Sequence, residues 1–178
     1  FNESPVAFDC AIDASGQCPA LVLLYGEEED AVADLDMRPK DWAVLDDLLE
    51  AVAWGEELPN SRHNYLHDGI WELKVGSLRA TFYDTDGAGG YVPKLGIQMW
   101  EVGRGNRRVY NPDEMDDFLR LGHWFEKTGQ KTPEKELEEA FRMREEDLSH
   151  DYRADEAGHA VEAAAEPRAI EGSGGGTA

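Results

Sequence analysis

The chain has 178 residues and carries 38 Asp and Glu against 17 Lys and Arg, a formal net charge of −21. That length suits one domain of ordinary size with tails and excludes two large ones, while 41% hydrophobic and 10% aromatic residues supply a core and exclude wholesale disorder. No apolar run reaches the roughly eighteen residues that a transmembrane helix needs, and a chain this acidic repels nucleic acid in general.

The charge is uneven. Residues 1–60 hold 15 acids and 2 bases, residues 61–135 hold 11 of each, and residues 136–178 hold 12 acids and 4 bases. A basic pocket inside an acidic shell can still hold a phosphate locally. The opening FNESPVAFDC has neither a basic n-region nor a long apolar stretch, so no signal peptide is expected. Cys10 and Cys18 make neither a disulfide framework nor a metal-spacing set, which fits reduced thiols in a cytoplasmic protein.

In chain order, Val6, Phe8, Cys10 and Ile12 alternate as in a short strand, and Asp13, Ser15 and Gly16 punctuate a turn. Pro19 and the apolar run after it open either a helix or a second strand. EEEDAVADLDM is acidic and reads as a solvated helix face or loop. Trp42, Leu45, Leu48, Leu49, Val52 and Ala53 recur at helical spacing after Pro39, with Gly55 and Pro59 as stop signals. GIWELKV and LRATFYDTDG read as two strands around a Gly76-Ser77 turn. Trp71, Leu73 and Val75 form the core face, and Ile70, Glu72 and Lys74 the face open to water or ligand. LGIQMWEVGRGNRRVY suggests a further strand pair or a strand and loop, NPDEMDDFLR a helical turn, and LGHWFEK another strand. After Thr132-Pro133 a helix follows with Leu137, Ala140, Phe141 and Leu148 on one stripe. Residues 155–178 decay into an Ala-, Glu- and Gly-rich tail expected to be disordered.

Standard catalytic signatures are missing: there is no GxSxG, Walker loop, HExxH or CxxC. His63 and His67 are four apart but follow Pro59 in a loop-like stretch, so no metal pair is expected; nor is a cofactor. What remains is a set of basic groups on the strand-rich middle: Lys74, Arg79, His123, Lys127 and Lys131. RNA cleavage by attack of a 2′-OH on the adjacent phosphate needs fixed positive charge for the phosphorane and groups that move protons, which such a set can supply. Spacing alone favours ordinary exposed strand residues.

Three stretches, in order, resemble the HigB-like toxins of the RelE/ParE superfamily, in the branch often labelled phage-derived. FDCAIDASGQCPALVLLY looks like that family's opening strand, D-x-x-G-x-x-P turn and first helix. DGIWELKVGSLRATFYDTDG resembles its central hairpin, usually G-L-W-E-L-R followed by an Arg-bearing strand. LGHWFEKTGQKTPEKELEEAFR looks like its L-H-G-F-V-K-K-T-Q-K-T-P strand, loop and final helix, with Phe125, Lys127, Gln130, Lys131, Thr132 and Pro133 at matched spacing.

The resemblance implies an α+β domain over residues 1–154: a small antiparallel sheet, two N-terminal helices and one C-terminal helix, with an insertion at about 88–120 between the third and fourth strands. It implies the toxin component of a type II toxin-antitoxin system: an mRNA endoribonuclease that inhibits translation, acts on the ribosome and is restrained by a helix-turn-helix antitoxin. Arg79 and Lys127 are then expected to stabilise phosphate, Lys74 to contact substrate phosphate or move a proton, and His123 to take a proton role. Lys131 and Tyr83 are expected to bind substrate. The alternative is a catalytically inactive member of the same fold, phage- or prophage-derived, that serves as an acidic protein-binding module.

Overall fold

The computed structural model describes residues 6–25, 37–103 and 105–165. The acidic run 27–36, Arg104 and residues 166–178 lie outside them. In chain order the elements are β1 (Ala7–Cys10), α1 (Leu21–Tyr25), α2 (Pro39–Ala53), β2 (His63–His67), β3 (Ile70–Val75) and β4 (Leu78–Thr85). There follow β5 (Ile97–Glu101), β6 (Gly105–Val109), a 3-10 turn (Pro112–Glu114), β7 (Phe118–Glu126) and α3 (Glu134–Ala165).

Helix α2 forms as its spacing predicts. Pro39 starts it, Leu45, Leu48, Leu49 and Val52 bury one stripe, and Gly55 ends it at φ 67°. The Gly55 N–H donates to Val52 O at 3.1 Å and the Glu56 N–H to Ala51 O at 2.8 Å, which closes the helix end. The run after Pro19 resolves as the short helix α1 rather than a strand.

The main sheet has five strands in the order β1-β7-β4-β3-β2, and β5 and β6 form a separate two-stranded ribbon. The expected all-antiparallel sheet needs correction: β1 runs parallel to β7, and the other ladders are antiparallel. No tight turn joins these two strands, which are neighbours in the sheet but far apart in the sequence, so hairpin geometry does not dictate their direction.

The strand β2 occupies the stretch that reads as a loop. Its partner is β3, through a two-residue Asp68-Gly69 turn with φ 48° at Asp68 and 76° at Gly69. A Cβ at Gly69 would stand 2.3 Å from the Tyr91 hydroxyl, so the turn also requires glycine for space.

Helices α1 and α2 cover one sheet face. Trp71, Leu73, Val75, Phe82, Leu119 and Leu121 pack there against Leu23, Leu45 and Val52, all buried. Helix α3 covers the other face, where Met143 packs on Ala11 and Tyr83. This second layer corrects the hairpin assignment: Ile70 and Glu72 are as buried as Trp71 and Leu73, and only Lys74 is half-buried. The predicted α3 stripe is also displaced. Its buried line is Ala140, Met143, Arg144, Asp147 and Asp151, whereas Leu137, Phe141 and Leu148 flank it. Beyond Asp151 the residues up to His159 are exposed, yet the helix continues to Ala165, past the expected start of the tail at 155.

The insertion is tied into the core. Trp71 Nε1 donates to Lys94 O at 3.2 Å, and the Tyr110 ring meets Trp71 and Phe82 edge-on. His63 is fully buried beside it: its Nδ1 lies 3.0 Å from Pro59 O, and its Nε2 accepts the Tyr110 N–H at 3.1 Å. Those contacts require a neutral ring with the proton on Nδ1, and burial pushes its pKa down to about 4.

Candidate functional site

One end of the α3-facing side of the sheet gathers most of the predicted basic residues. Register does the gathering: Lys74 on β3 faces Arg79 on β4, and Arg79 faces Phe125 on β7. Direct cross-strand partners share a face, and Glu72, two residues before Lys74, lies on it too. The Gly76-Ser77 turn closes the β3–β4 hairpin, and the Lys127 N–H donates to Ser77 O at 2.9 Å, which brings Lys127 to the same turn. Lys127 Nζ reaches Thr132 Oγ1 at 3.4 Å, so the loop leading into α3 is held to the cluster.

Glu72 is the buried centre, with no exposed surface. Its Oε1 accepts from Asn64 Nδ2 at 3.4 Å and lies 3.8 Å from Arg79 Nε, close enough for attraction but too long for a hydrogen bond. Its Oε2 has no hydrogen-bond partner. Burial raises the Glu72 pKa, and Lys127, Arg79, the Asn64 bond and Lys74 oppose that rise. Burial lowers the Lys74 pKa; Glu72 opposes this, while Arg107, Arg79 and Lys127 add to it. Arg79 spends one nitrogen on its own turn, with Nη1 at 3.0 Å from Gly76 O and 2.7 Å from Leu78 O, which fixes where the guanidinium points.

The remaining predicted residues lie elsewhere. A bulge in the β4–β7 ladder between Ala80 and Phe82 sets His123 on the α3 side, where its ring stacks on Phe125 at 5.7 Å. His123 Nε2 pairs with Glu136 Oε2 of α3 at 2.7 Å. Among the described residues no hydrogen bond or ion pair joins His123 to Lys74, Arg79 or Lys127. Lys131 is exposed in the loop before α3. Tyr83 as a substrate-binding residue needs correction: it is 1% exposed, and its hydroxyl donates to Asp147 Oδ2 at 2.7 Å beneath α3.

Glu72 and Asn64 are members of the site that the sequence leaves unmarked, and Arg107 of the ribbon acts on Lys74 through its charge while its guanidinium is bound to Asn60 O at 3.0 Å and Glu101 Oε2 at 3.4 Å. A signal for Asn64 was present: Asp68-Gly69 is a hairpin turn, and reading it as one turns residues 63–67 into a strand beside β3. The approach of Arg107 depends on how the inserted ribbon folds back, which no local pattern encodes.

Chemically the cluster offers three cations around one buried carboxylate, a geometry suited to an anionic diester. The cysteines do not extend it. Both are free thiols, and burial pushes the Cys10 pKa up to about 12. Among the described residues no group of three or more His, Cys, Asp or Glu side chains is arranged to hold a metal ion, and no helix is long and apolar enough to cross a membrane. No family model matches the chain, and no significant match is found among curated proteins or solved structures.

Proposed function

We propose that this chain is an RNA endonuclease of the toxin type, with the Lys74–Arg79–Lys127 cluster as its phosphate-binding centre. The observation that carries the reading is the convergence of these residues, from two strands and a loop, on the buried Glu72. The likeness of three segments to HigB-like toxins supplies the reaction class and the partners: mRNA on the ribosome, and a helix-turn-helix antitoxin in a bacterial cytoplasm.

In that reaction the substrate's 2′-OH attacks phosphorus, the P–O5′ bond breaks, and the products end in a 2′,3′-cyclic phosphate and a 5′-OH. Arg79 and Lys127 offset the charge of the phosphorane. Lys74, whose pKa is already lowered, is the group best able to exchange a proton with the reacting oxygens. Glu72 is too buried to touch substrate and acts as a positioning residue for Arg79 and Asn64. No step is routed through His123 or Tyr83.

Induced expression in a bacterial host tests the proposal. Growth arrest with new transcript 5′ ends, both abolished by Arg79→Ala in a folded protein, supports it. Normal growth with soluble protein and intact transcripts overturns it. A second reading, the protein-binding module, is favoured by the exposed apolar tip of the ribbon, where Trp100 is 72% and Val102 92% exposed.

A further inference from the structure

Beside the cationic cluster lies an open groove of about 300 Å³ between β2 and the β5–β6 ribbon. It is lined by Asn64 and Tyr65 from β2 and by Gln98, Asn106, Arg107 and Arg108 from the ribbon. Two features set this lining apart from ordinary surface. Every charged member is basic, although the chain as a whole is at −21. The arginines are also held: Arg107 Nη2 donates to Asn60 O at 3.0 Å, Arg108 Nη1 donates to Leu95 O at 3.3 Å, and the Arg108 guanidinium lies 5.5 Å from the centre of the Tyr65 ring.

Strand register adds the rest. Gln98 faces Arg108 and Trp100 faces Asn106, so these four side chains share one face of the ribbon. Trp100 stands on that face largely in solvent, and among the described residues neither Gln98 nor Asn106 has a side-chain hydrogen-bond partner. A primary amide presents a donor and an acceptor side by side, the pattern that reads a base edge, and an exposed indole offers a stacking surface. Held guanidinium planes with an aromatic neighbour suit unstacked bases of single-stranded RNA rather than a duplex.

The groove is joined to the cluster by two links. Asn64 lines the groove while donating to Glu72, and Arg107 lines it while lowering the Lys74 pKa. We propose that the groove between β2 and the β5–β6 ribbon is a nucleobase-reading subsite for single-stranded RNA, adjoining the phosphate held by Lys74, Arg79 and Lys127. The inference rests on the endonuclease reading and adds to it the element that selects sequence.

Equilibrium binding to four short homopolymeric oligoribonucleotides, 2′-O-methylated to block cleavage, tests the subsite. The wild-type protein is expected to rank the four bases. Trp100→Ala is expected to weaken binding about tenfold, with Trp100→Phe recovering most of the loss. Asn106→Ala is expected to flatten the ranking, and Lys74→Ala to weaken all four alike and leave the ranking intact. Trp100 and Asn106 are exposed, so both variants should fold, which circular dichroism checks. If Trp100→Ala and Asn106→Ala bind as wild type while Lys74→Ala does not, the subsite is overturned and the endonuclease reading stands. If Trp100→Ala and Asn106→Ala lose binding but the wild-type chain leaves transcripts intact in cells, the endonuclease reading falls and the subsite stands. A wild-type protein that binds none of the four overturns the subsite, as does one whose Trp100→Ala variant loses only self-association in sedimentation.

Discussion

The two faces of the central sheet solve burial in opposite ways. Under α1 and α2 the contacts are almost wholly apolar: Trp71, Leu73, Phe82, Leu119 and Leu121 meet Leu23, Leu45 and Val52. Under α3 the apolar cluster is small, and three of the five residues on the buried line of the helix are charged. Asp147 accepts from the Tyr83 hydroxyl at 2.7 Å and from the Ile12 N–H at 2.8 Å, and Arg120 sits 3.5 Å from Asp147 and 3.2 Å from Asp151. Arg144 donates to Asp68 O at 2.7 Å and to Asp68 Oδ2 at 2.9 Å, which pins α3 to the β2–β3 turn. The apolar face carries most of the stabilisation, because its contacts are apolar and only His63 and Asp84 bring a desolvation cost to offset. The ionic face fixes α3 in register and places charged groups under it, and the candidate site is the end of that same face.

The largest expected effect breaks the apolar side. Phe82 is fully buried against Tyr110, so Phe82→Ala should lower unfolding free energy by about 3–5 kcal/mol, read as a shift in denaturant midpoint. On the ionic side, Asp147→Ala removes two hydrogen bonds and half of Arg120's pairing, at a cost of about 3 kcal/mol. A small loss from Asp147→Ala would show that the α3 face is held by its apolar contacts instead.

The comparison sharpens with pH, since the apolar face also buries two titratable groups. His63, opposite Leu73, has its pKa pushed down to about 4 by burial, so it contributes stability that is present above its unfolded value near 6.5 and lost as pH falls toward 4. Asp84 shares the face of Phe82, and burial raises its pKa to about 6. Its contribution is present below about 4 and lost as pH rises through 6. Each shift corresponds to about 3 kcal/mol, and the two oppose each other over the same window. Asp84→Asn removes one of them. The stability of this variant relative to wild type should therefore rise by about 3 kcal/mol between pH 4 and pH 7 in urea titrations. An unchanged difference would show that Asp84 titrates normally in the fold. The smallest effect is expected at the far end of α3, which from Tyr152 to His159 is exposed. Deleting residues 156–178 should leave the Tm unchanged within error, and a clear drop would show that this end packs on the domain.

What was legible in the sequence follows the same division. Helix α2, the core face of the β3–β4 hairpin and the strand carrying His123 are written in local periodicity, because apolar residues alone decide them. The ionic face is not legible in that way. Arg144, Asp147 and Asp151 read as solvated charge until Asp68, the Ile12 N–H and Arg120 arrive from distant parts of the chain. Glu72 reads as open to water for the same reason. Of the candidate site, Lys74, Arg79 and Lys127 come together because a hairpin and its neighbouring strand fix them. Tyr83 and His123 separate from the cluster because α3 supplies Asp147 to one and Glu136 to the other.

RNA cleavage by the cationic end of the ionic face, as proposed, would be recorded in the end chemistry of transcripts. RNA from cells expressing the wild-type chain, Arg79→Ala or Lys127→Ala should be sequenced by ligation specific for 5′-OH ends. New 5′-OH ends are expected with wild type and their loss in both variants, each of which remains folded. Transcripts without new 5′-OH ends, or ends that persist undiminished in Arg79→Ala, would contradict the proposed cleavage.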